Sequence, residues 1–324
     1  MAAGRPTAGC PIVLVYHPDP AEAKAYARLI RLPRGRSASI HVCSTEAEAA
    51  AVIAGADAVY AWKFPPPLYA TARRLTWLQA MGAGVDWALV PELPPAVVVT
   101  RAPGVFGPWM SEYVLGWCAW VTQRMETYRA AQRERRWIDT VLPGRLRGTT
   151  LALVGVGDIG REIARVARAL GMRVIGVSRS GRRVPGVARV YRPRALHRAL
   201  AAADFVVVVV PLTSETRGLI DASALAAMRP GAWLLNIGRG AVVDEAALVQ
   251  ALAARRIGGA VLDVFPTEPL PPDHPLWRLD NAVITPHISG PSTAEEIAPV
   301  FNDNLARRLA GRPLRHVVDR RREY

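Results

Sequence analysis

Three side chains with complementary chemistry follow three successive apolar runs in the second half of the chain. Arg239 comes after Asn-Ile-Gly, Glu268 after Asp-Val-Phe-Pro-Thr, and His287 after Thr-Pro. Histidine can donate a proton near neutral pH, and a neighbouring carboxylate favours its protonated form and orients it. Arginine binds a carboxylate through two parallel hydrogen bonds. Arg239, Glu268 and His287 are therefore the candidate catalytic residues.

A glycine-rich turn near the middle of the chain predicts a dinucleotide site. The apolar run 151–154 leads into Gly-Val-Gly-Asp-Ile-Gly, and an amphipathic helical stretch follows. The first glycine permits the tight turn, the second lets the backbone approach a pyrophosphate, and the third lets the helix pack close to the strand. The pyrophosphate would accept hydrogen bonds at the helix N-terminus. The predicted cofactor contacts of this turn are Gly155, Gly157, Asp158, Ile159 and Gly160.

The next predicted strand, 173–177, indicates which dinucleotide binds. In an NAD site, an acidic side chain about 20 residues beyond the glycines accepts hydrogen bonds from the ribose hydroxyls. Here no acidic residue occurs between Glu162 and Asp204, and the strand leads into Ser178-Arg179-Ser180. A guanidinium flanked by hydroxyls suits a 2′-phosphate. The sequence therefore favours NADP, with NAD as the alternative.

Together these residues predict a hydride-transfer enzyme. Reduction of a 2-oxo acid needs a hydride from a nicotinamide, a proton for the new hydroxyl, and a cation that binds the carboxylate. The glycine turn would hold the hydride donor, His287 would give the proton, and Arg239 would bind the carboxylate. The other histidines lack such a setting, and we interpret them as structural or exposed.

Alternating strand and helix patterns predict an α/β protein of two doubly wound, parallel-sheet domains. A chain of 324 residues is long enough for two hydrophobic cores. We expect a flavodoxin-like substrate domain at 1–100 plus 288–324, and a Rossmann NAD(P)-binding domain at 101–287. An interdomain cleft would separate them. A helix over 293–309 is expected to pack back on the first domain.

The elements that position the site residues can be predicted one by one. The first domain should contain strands at 11–16, 39–43, 58–62, 75–79 and 97–100, and helices at 21–32 and 45–54. One long helix is predicted over 111–133, and its wide apolar coverage suits burial between domains or subunits. The second domain should contain strands at 151–154, 173–177, 205–210, 233–237, 259–263 and 282–285.

Composition excludes several classes of partner. The formal net charge is +14, but Lys24 and Lys63 are the only lysines, and the arginines are spread over the whole chain without a nucleic-acid-binding motif. No apolar run approaches the roughly 18 residues that span a membrane. Residues 1–9 lack the apolar core of a signal peptide. The cysteines show neither metal-ligand nor disulfide spacing. We expect a cytoplasmic protein without a metal, nucleic-acid or membrane partner.

Several motifs make the chain similar to the D-2-hydroxyacid dehydrogenase family, and particularly to its glyoxylate/hydroxypyruvate reductases. They occupy 155–160, 211–216, 235–240, 262–270 and 284–287, and the resemblance covers nearly the whole chain beyond residue 9. It implies that His287 is the proton donor, Glu268 its partner, and Arg239 the substrate-binding cation. The further cofactor contacts that it implies are Val210, Pro211, Thr216, Ile237, Gly238, Arg239, Asp263, His287 and Gly290.

The resemblance also implies substrate contacts in the first domain. Residues 80–86 match the family's carboxylate-binding turn, in which the N–H groups of Ala83 and Gly84 would bind the substrate anion. Trp62 resembles an aromatic residue at the substrate mouth of an NADPH-using reductase subgroup, although the Lys-Phe pair after it departs from that subgroup's loop. The implied substrate contacts are Trp62, Met81, Gly82, Ala83, Gly84, Arg239 and His287.

The expected protein is thus a homodimeric, NADPH-dependent reductase of glyoxylate or hydroxypyruvate. Two alternatives use the same scaffold, namely reduction of a bulkier 2-oxo acid and oxidation of phosphite. A third alternative is a non-catalytic, NADP-binding regulator such as a corepressor. The complete set of Arg239, Glu268 and His287 argues against a regulator, because a sensor needs no proton donor.

Overall fold

The computed structural model describes residues 10–324, and the chain divides into two compact units. The first unit contains the described residues up to Val105 together with Ser292–Tyr324, and the second is Phe106–Pro291. The predicted domain boundaries fall a few residues earlier in the chain. The segment 1–9, whose sequence lacks the apolar core of a signal peptide, lies outside the described residues. Among the helices that are described, none is long and apolar enough to cross a membrane.

The first unit contains a five-stranded parallel sheet, with helices α1 (Pro20–Arg28) and α2 (Glu46–Ile53). Its strands are β1 (Ile12–Tyr16), β2 (Ser39–Cys43), β3 (Ala58–Ala61), β4 (Trp77–Ala80) and β5 (Val98–Thr100). The spatial order is β2-β1-β3-β4-β5, which is the flavodoxin-like order. Every residue of β3 and β4 is buried, as expected of central parallel strands covered on both faces.

The second unit contains a seven-stranded parallel sheet. Its strands are β6 (Thr150–Val154), β7 (Arg173–Val177), β8 (Arg189–Tyr191), β9 (Phe205–Val208), β10 (Trp233–Asn236), β11 (Gly259–Leu262) and β12 (Ala282–Ile284). Their order, β12-β11-β10-β9-β6-β7-β8, is the Rossmann order extended by one strand, so the predicted fold class is confirmed for both sheets. Strand β8 was not predicted, because it has only three residues and pairs only with β7 at the sheet edge.

The prediction of a single helix over 111–133 is wrong. The second unit has two helices there, followed by four more: α3 (Gly107–Thr122), α4 (Met125–Arg133), α5 (Asp158–Ala169), α6 (Leu196–Leu200), α7 (Ala222–Ala227) and α8 (Glu245–Ala253). Arg124 separates α3 from α4 with a left-handed φ of 53°. The carbonyl oxygen of Thr122 accepts a hydrogen bond from the N–H of Gly144 at 2.8 Å. The loop residue Gly144 therefore occupies the carbonyl oxygen that the next turn of a continuous helix would have used as an acceptor.

The last helix, α9 (Ala294–Leu309), packs on the first unit, as predicted. Phe301 of this helix is fully buried, and its ring stacks on Tyr60 and Trp77 at centroid distances of 4.0 and 5.2 Å. Aromatic contacts of this kind add to the free energy of burial. The chain therefore returns to complete the core of the unit in which it began.

Helix α1 ends earlier than the predicted residue 32, and a contact with α9 explains why. The side-chain amide of Asn302 donates to the carbonyl oxygen of Leu29 and accepts from the N–H of Arg31, both at 2.9 Å. These two bonds satisfy backbone groups that would otherwise need further helical turns.

Candidate active site

The glycine turn joins β6 to α5 and leaves room for a ligand. Gly155 has a φ of +110°, and a Cβ atom there would lie 2.7 Å from the carbonyl oxygen of Val209. A Cβ on Gly160 would lie 2.3 Å from the carbonyl oxygen of Gly155, so this close approach of α5 requires glycine. At Gly157, a Cβ would meet nothing within 4 Å. The residues thus fit a pyrophosphate, which would occupy the open space before the N-terminus of α5.

The turn after β7 presents hydroxyl and guanidinium groups. Ser178 is half-buried, and Arg179 and Ser180 are exposed. The N–H of Gly181 donates to both the carbonyl oxygen and Oγ of Ser178 at 3.2 Å. Because Oγ acts here as an acceptor, the Ser178 hydroxyl keeps its proton for another group. The turn therefore combines a fixed charge with hydroxyl donors, as a 2′-phosphate requires.

A histidine–carboxylate pair lies beyond the ends of β11 and β12. His287 Nδ1 lies 2.9 Å from Oε2 of Glu268, and Oε1 of Glu268 accepts a hydrogen bond from the N–H of Phe265 at 3.1 Å. The carboxylate is thus held at both oxygens, and Nδ1 is the donor to it. The side chains of His287 and Glu268 are 33% and 27% exposed. Nε2 of His287 is therefore the nitrogen that remains for proton exchange with a bound molecule.

The carboxylate of Asp263 fixes the segment that carries His287. The Asp263 side chain is fully buried. Its Oδ1 atom accepts hydrogen bonds from Thr285 Oγ1 at 2.7 Å and from the N–H of Ile288 at 2.8 Å, and its Oδ2 atom accepts from the N–H of Ser289 at 2.9 Å. The N–H of His287 donates to the carbonyl oxygen of Asp263 at 2.8 Å. These bonds hold His287 at a left-handed φ of 55°, which is uncommon outside glycine.

Tyr113 of α3 belongs to the same network, which the sequence did not indicate. Its hydroxyl lies 2.6 Å from Thr285 Oγ1. Because the single hydroxyl proton of Thr285 goes to Asp263, Tyr113 must be the donor. Burial raises the pKa of Tyr113 to about 12, so the phenol keeps its proton near neutral pH. Tyr113 falls in the apolar stretch 111–133 that was predicted as one helix, and no local signal there points to a partner 172 residues away.

Arg239 lies in the turn after β10 and is half-buried. The buried Asn236 side chain donates from Nδ2 to the carbonyl oxygen of Arg239 at 3.1 Å. This role of Asn236 was not predicted from the sequence. A Cβ atom on Gly240 would lie 2.0 Å from the carbonyl carbon of Phe265. The Arg239 turn therefore packs directly against the backbone that leads to Glu268, and the fold brings these two loops together.

The predicted strand 205–210 ends instead at Val208. Beyond it, the carbonyl groups of Val209 and Val210 pack against Gly155 and Gly238, where a Cβ would lie 2.7 and 2.8 Å from them. The Thr216 hydroxyl donates to the carbonyl oxygen of Pro211 at 2.6 Å. The remaining predicted cofactor residues thus follow strands of the same sheet: Val210, Pro211, Thr216, Ile237, Gly238, Asp263 and Gly290.

The predicted substrate turn of the first unit follows β4. Met81 is fully buried, and a Cβ on Gly82 would lie 2.8 Å from the ring of Trp62, so Trp62 packs directly on this turn. Ala83 and Gly84 are half-buried. In the described part of the chain, no acceptor takes the N–H of either residue. Two successive N–H donors of this kind can bind an anion.

Comparison with known proteins gives consistent matches. The model of the D-isomer specific 2-hydroxyacid dehydrogenase, NAD binding domain, matches residues 116–289. Glyoxylate/hydroxypyruvate reductase A of Serratia proteamaculans is 32% identical over 271 residues, which are 82% of this chain and 86% of that protein.

Two solved structures are similar over nearly the full length. The NADPH-dependent glyoxylate/hydroxypyruvate reductase of Sinorhizobium meliloti, in complex with NADP and sulfate, has a TM-score of 0.88 at 31% identity, covering 98% of this chain and 100% of that one. A D-isomer specific 2-hydroxyacid dehydrogenase family protein of Aeromonas salmonicida has a TM-score of 0.86 at 38% identity, with coverages of 96% and 99%.

We expect Asp263→Asn to destabilise the second unit. The amide NH₂ of asparagine is a donor, and it would face the O–H and N–H donors that now bind the carboxylate. The loss in free energy of unfolding should be about 1–3 kcal/mol. Differential scanning calorimetry should therefore show a lower unfolding temperature. Asp273→Asn changes an exposed aspartate and serves as the matched control. Equal unfolding temperatures for the two variants would contradict the role assigned to the Asp263 hydrogen bonds.

Proposed function

The chain belongs to the D-isomer specific 2-hydroxyacid dehydrogenase family, and on this basis we propose that it reduces a small 2-oxo acid to the 2-hydroxy acid with NADPH. Glyoxylate and hydroxypyruvate are the proposed substrates, because the relatives described above are glyoxylate/hydroxypyruvate reductases. This activity is supported above all by the His287–Glu268 pair, which lies in the same unit as the glycine turn. A histidine held in this way can supply the proton that reduction requires.

Each chemical requirement of the reaction has a residue suited to it. NADPH, when bound, supplies the hydride for the carbonyl carbon. His287 gives a proton from Nε2 to the carbonyl oxygen, while Glu268 holds Nδ1 and stabilises the imidazolium. Arg239 binds the substrate carboxylate, and its charge favours the electron density that develops on the neighbouring oxygen. The products are the 2-hydroxy acid and the oxidised cofactor.

All the residues that we propose for the cofactor site lie in the second unit. The N–H groups at the start of α5 would bind the pyrophosphate, and Arg179 with Ser178 and Ser180 would bind the 2′-phosphate of NADP. The loops that contain Val210, Pro211, Thr216, Ile237, Gly238, Asp263 and Gly290 would line the remainder of the cofactor site. Asp263 would act there mainly through the position of its loop, because its carboxylate already accepts three hydrogen bonds.

The proposed substrate contacts of the first unit are Trp62, Met81, Gly82, Ala83 and Gly84. The N–H groups of Ala83 and Gly84 are suited to a carboxylate, and Trp62 supports their turn by packing on Gly82. Met81 would contribute through its buried packing rather than through an exposed side chain.

We also propose that the protein forms a homodimer in the cytoplasm. Apolar side chains are exposed on α3, on α4 and in the segment that follows, notably Trp109, Met125, Trp137 and Leu142. Exposed apolar groups on neighbouring elements are typical of subunit interfaces. Static light scattering should give about twice the mass of one chain, and a monomeric mass at micromolar concentration would contradict the dimer.

His287→Gln should lower kcat for glyoxylate reduction by about 10²–10⁴-fold, because it removes the proton donor. NADPH binding, measured by the fluorescence of the bound nicotinamide, should be retained. Glu268→Gln should also lower kcat, because it removes the carboxylate that orients the imidazole through Nδ1.

His197→Gln is the control for the histidine variant, since His197 is an exposed residue of the same unit. A His287→Gln enzyme with unchanged kcat would exclude His287 as the proton donor.

Arg179→Asp should reverse the cofactor preference. The new carboxylate repels a 2′-phosphate but can accept hydrogen bonds from ribose hydroxyls, so the NADPH-to-NADH ratio of kcat/KM should fall by about tenfold or more. Arg173→Asp is the control, because Arg173 begins β7 at the opposite edge of the sheet. The same ratio in wild type and Arg179→Asp would rule out a role for Arg179 in cofactor choice.

A further inference from the structure

Strand β8, which the sequence did not predict, brings another arginine to the turn after β7. Val177 pairs with Tyr191 in the parallel register, and the N–H of Ser178 donates to the carbonyl oxygen of Tyr191 at 3.0 Å. Arg192 is the next residue after β8. It therefore emerges beside Ser178, at the edge of the sheet where ligands of parallel sheets bind.

The side chain of Arg192 lies across this turn. Gly181 has a φ of +62°, and a Cβ there would lie 2.7 Å from Cγ of Arg192 and 3.4 Å from its Nε. Glycine at 181 is thus what allows the arginine to lie so close to the backbone. The Arg192 side chain is exposed, and within residues 10–324 it has no hydrogen bond or ion pair. The guanidinium is therefore accessible to a ligand at the turn that contains Arg179.

We propose that Arg192 is a second arginine of the 2′-phosphate site and a determinant of the preference for NADP, an inference that rests on the proposed use of this cofactor. A 2′-phosphate is doubly charged and has three acceptor oxygens, so it can bind two guanidinium groups at once. The stretch between Glu162 and Asp204 contains no acidic residue that would neutralise them. Asp204 itself pairs with Arg229 at 2.5 Å.

The site can be tested without turnover, by titrating the full-length protein with 2′,5′-ADP and with 5′-AMP in a calorimeter. These two nucleotides differ only in the 2′-phosphate. Arg192→Gln should weaken the binding of 2′,5′-ADP by about 10–100-fold, as expected for lost hydrogen bonds to a charged group, and leave 5′-AMP unchanged. Arg192→Lys keeps the charge but loses the planar fork, so its affinity should lie between those of wild type and Arg192→Gln.

Arg173→Gln is the matched control. Arg173 begins the strand that ends at Val177, about 16 Å before Ser178 at the spacing of an extended chain. The Arg173→Gln variant should bind both nucleotides as wild type does. Unchanged 2′,5′-ADP affinity in Arg192→Gln, or an equal loss for both nucleotides, would overturn the role of Arg192.

The wild-type titration separates this inference from the function on which it rests. If wild type binds 2′,5′-ADP no more tightly than 5′-AMP, the proposed preference for NADP fails, and the site at Arg192 fails with it. If wild type shows the preference and Arg192→Gln retains it, only the assignment of Arg192 is wrong.

Discussion

The buried carboxylate of Asp263 is the interaction on which the candidate active site depends most. A fully buried charge is costly unless hydrogen bonds compensate for its lost hydration. Asp263 obtains this compensation from Thr285, Ile288 and Ser289. The same bonds join the loops after β11 and β12 and hold His287 in a left-handed conformation beside Glu268. Tyr113 completes the network from α3, so the imidazole is positioned by residues from three separate parts of the chain.

Strand order explains how distant residues meet at this edge. All strands of the second unit run parallel, so the loops after their carboxyl ends lie on one side of the sheet. The order reverses at β6, whose neighbours are β9 and β7, and such a reversal opens the crevice in which doubly wound sheets bind ligands. The close contact of Gly155 with Val209 lies where β6 and β9 end. Glycine is required there because its φ is +110° and a Cβ atom would lie 2.7 Å from the carbonyl oxygen of Val209.

Much of the fold and of the candidate site could be predicted because the signals are local. Apolar runs bounded by glycine and proline identified the strands that precede Arg239, Glu268 and His287, and the glycine spacing identified the turn before α5. The absence of acids after β7 is likewise visible in the sequence itself. Two errors, the single helix over 111–133 and the missing β8, occurred where a distant contact decides the structure. The acceptor at Thr122 is taken by Gly144, and β8 is an edge strand whose one strand partner is β7.

The sequence by itself therefore determined the two parallel-sheet units, the glycine turn before α5 and the residue types available for proton transfer, because periodicity and turn chemistry act within a few residues. Only the tertiary structure decided that Asp263 is buried under the His287 segment, that Tyr113 donates to Thr285, and that Arg192 crosses Gly181. Each of these contacts joins residues on different elements, and their distance in space depends on how the strands and helices pack. The pattern of residues along the chain does not specify that packing.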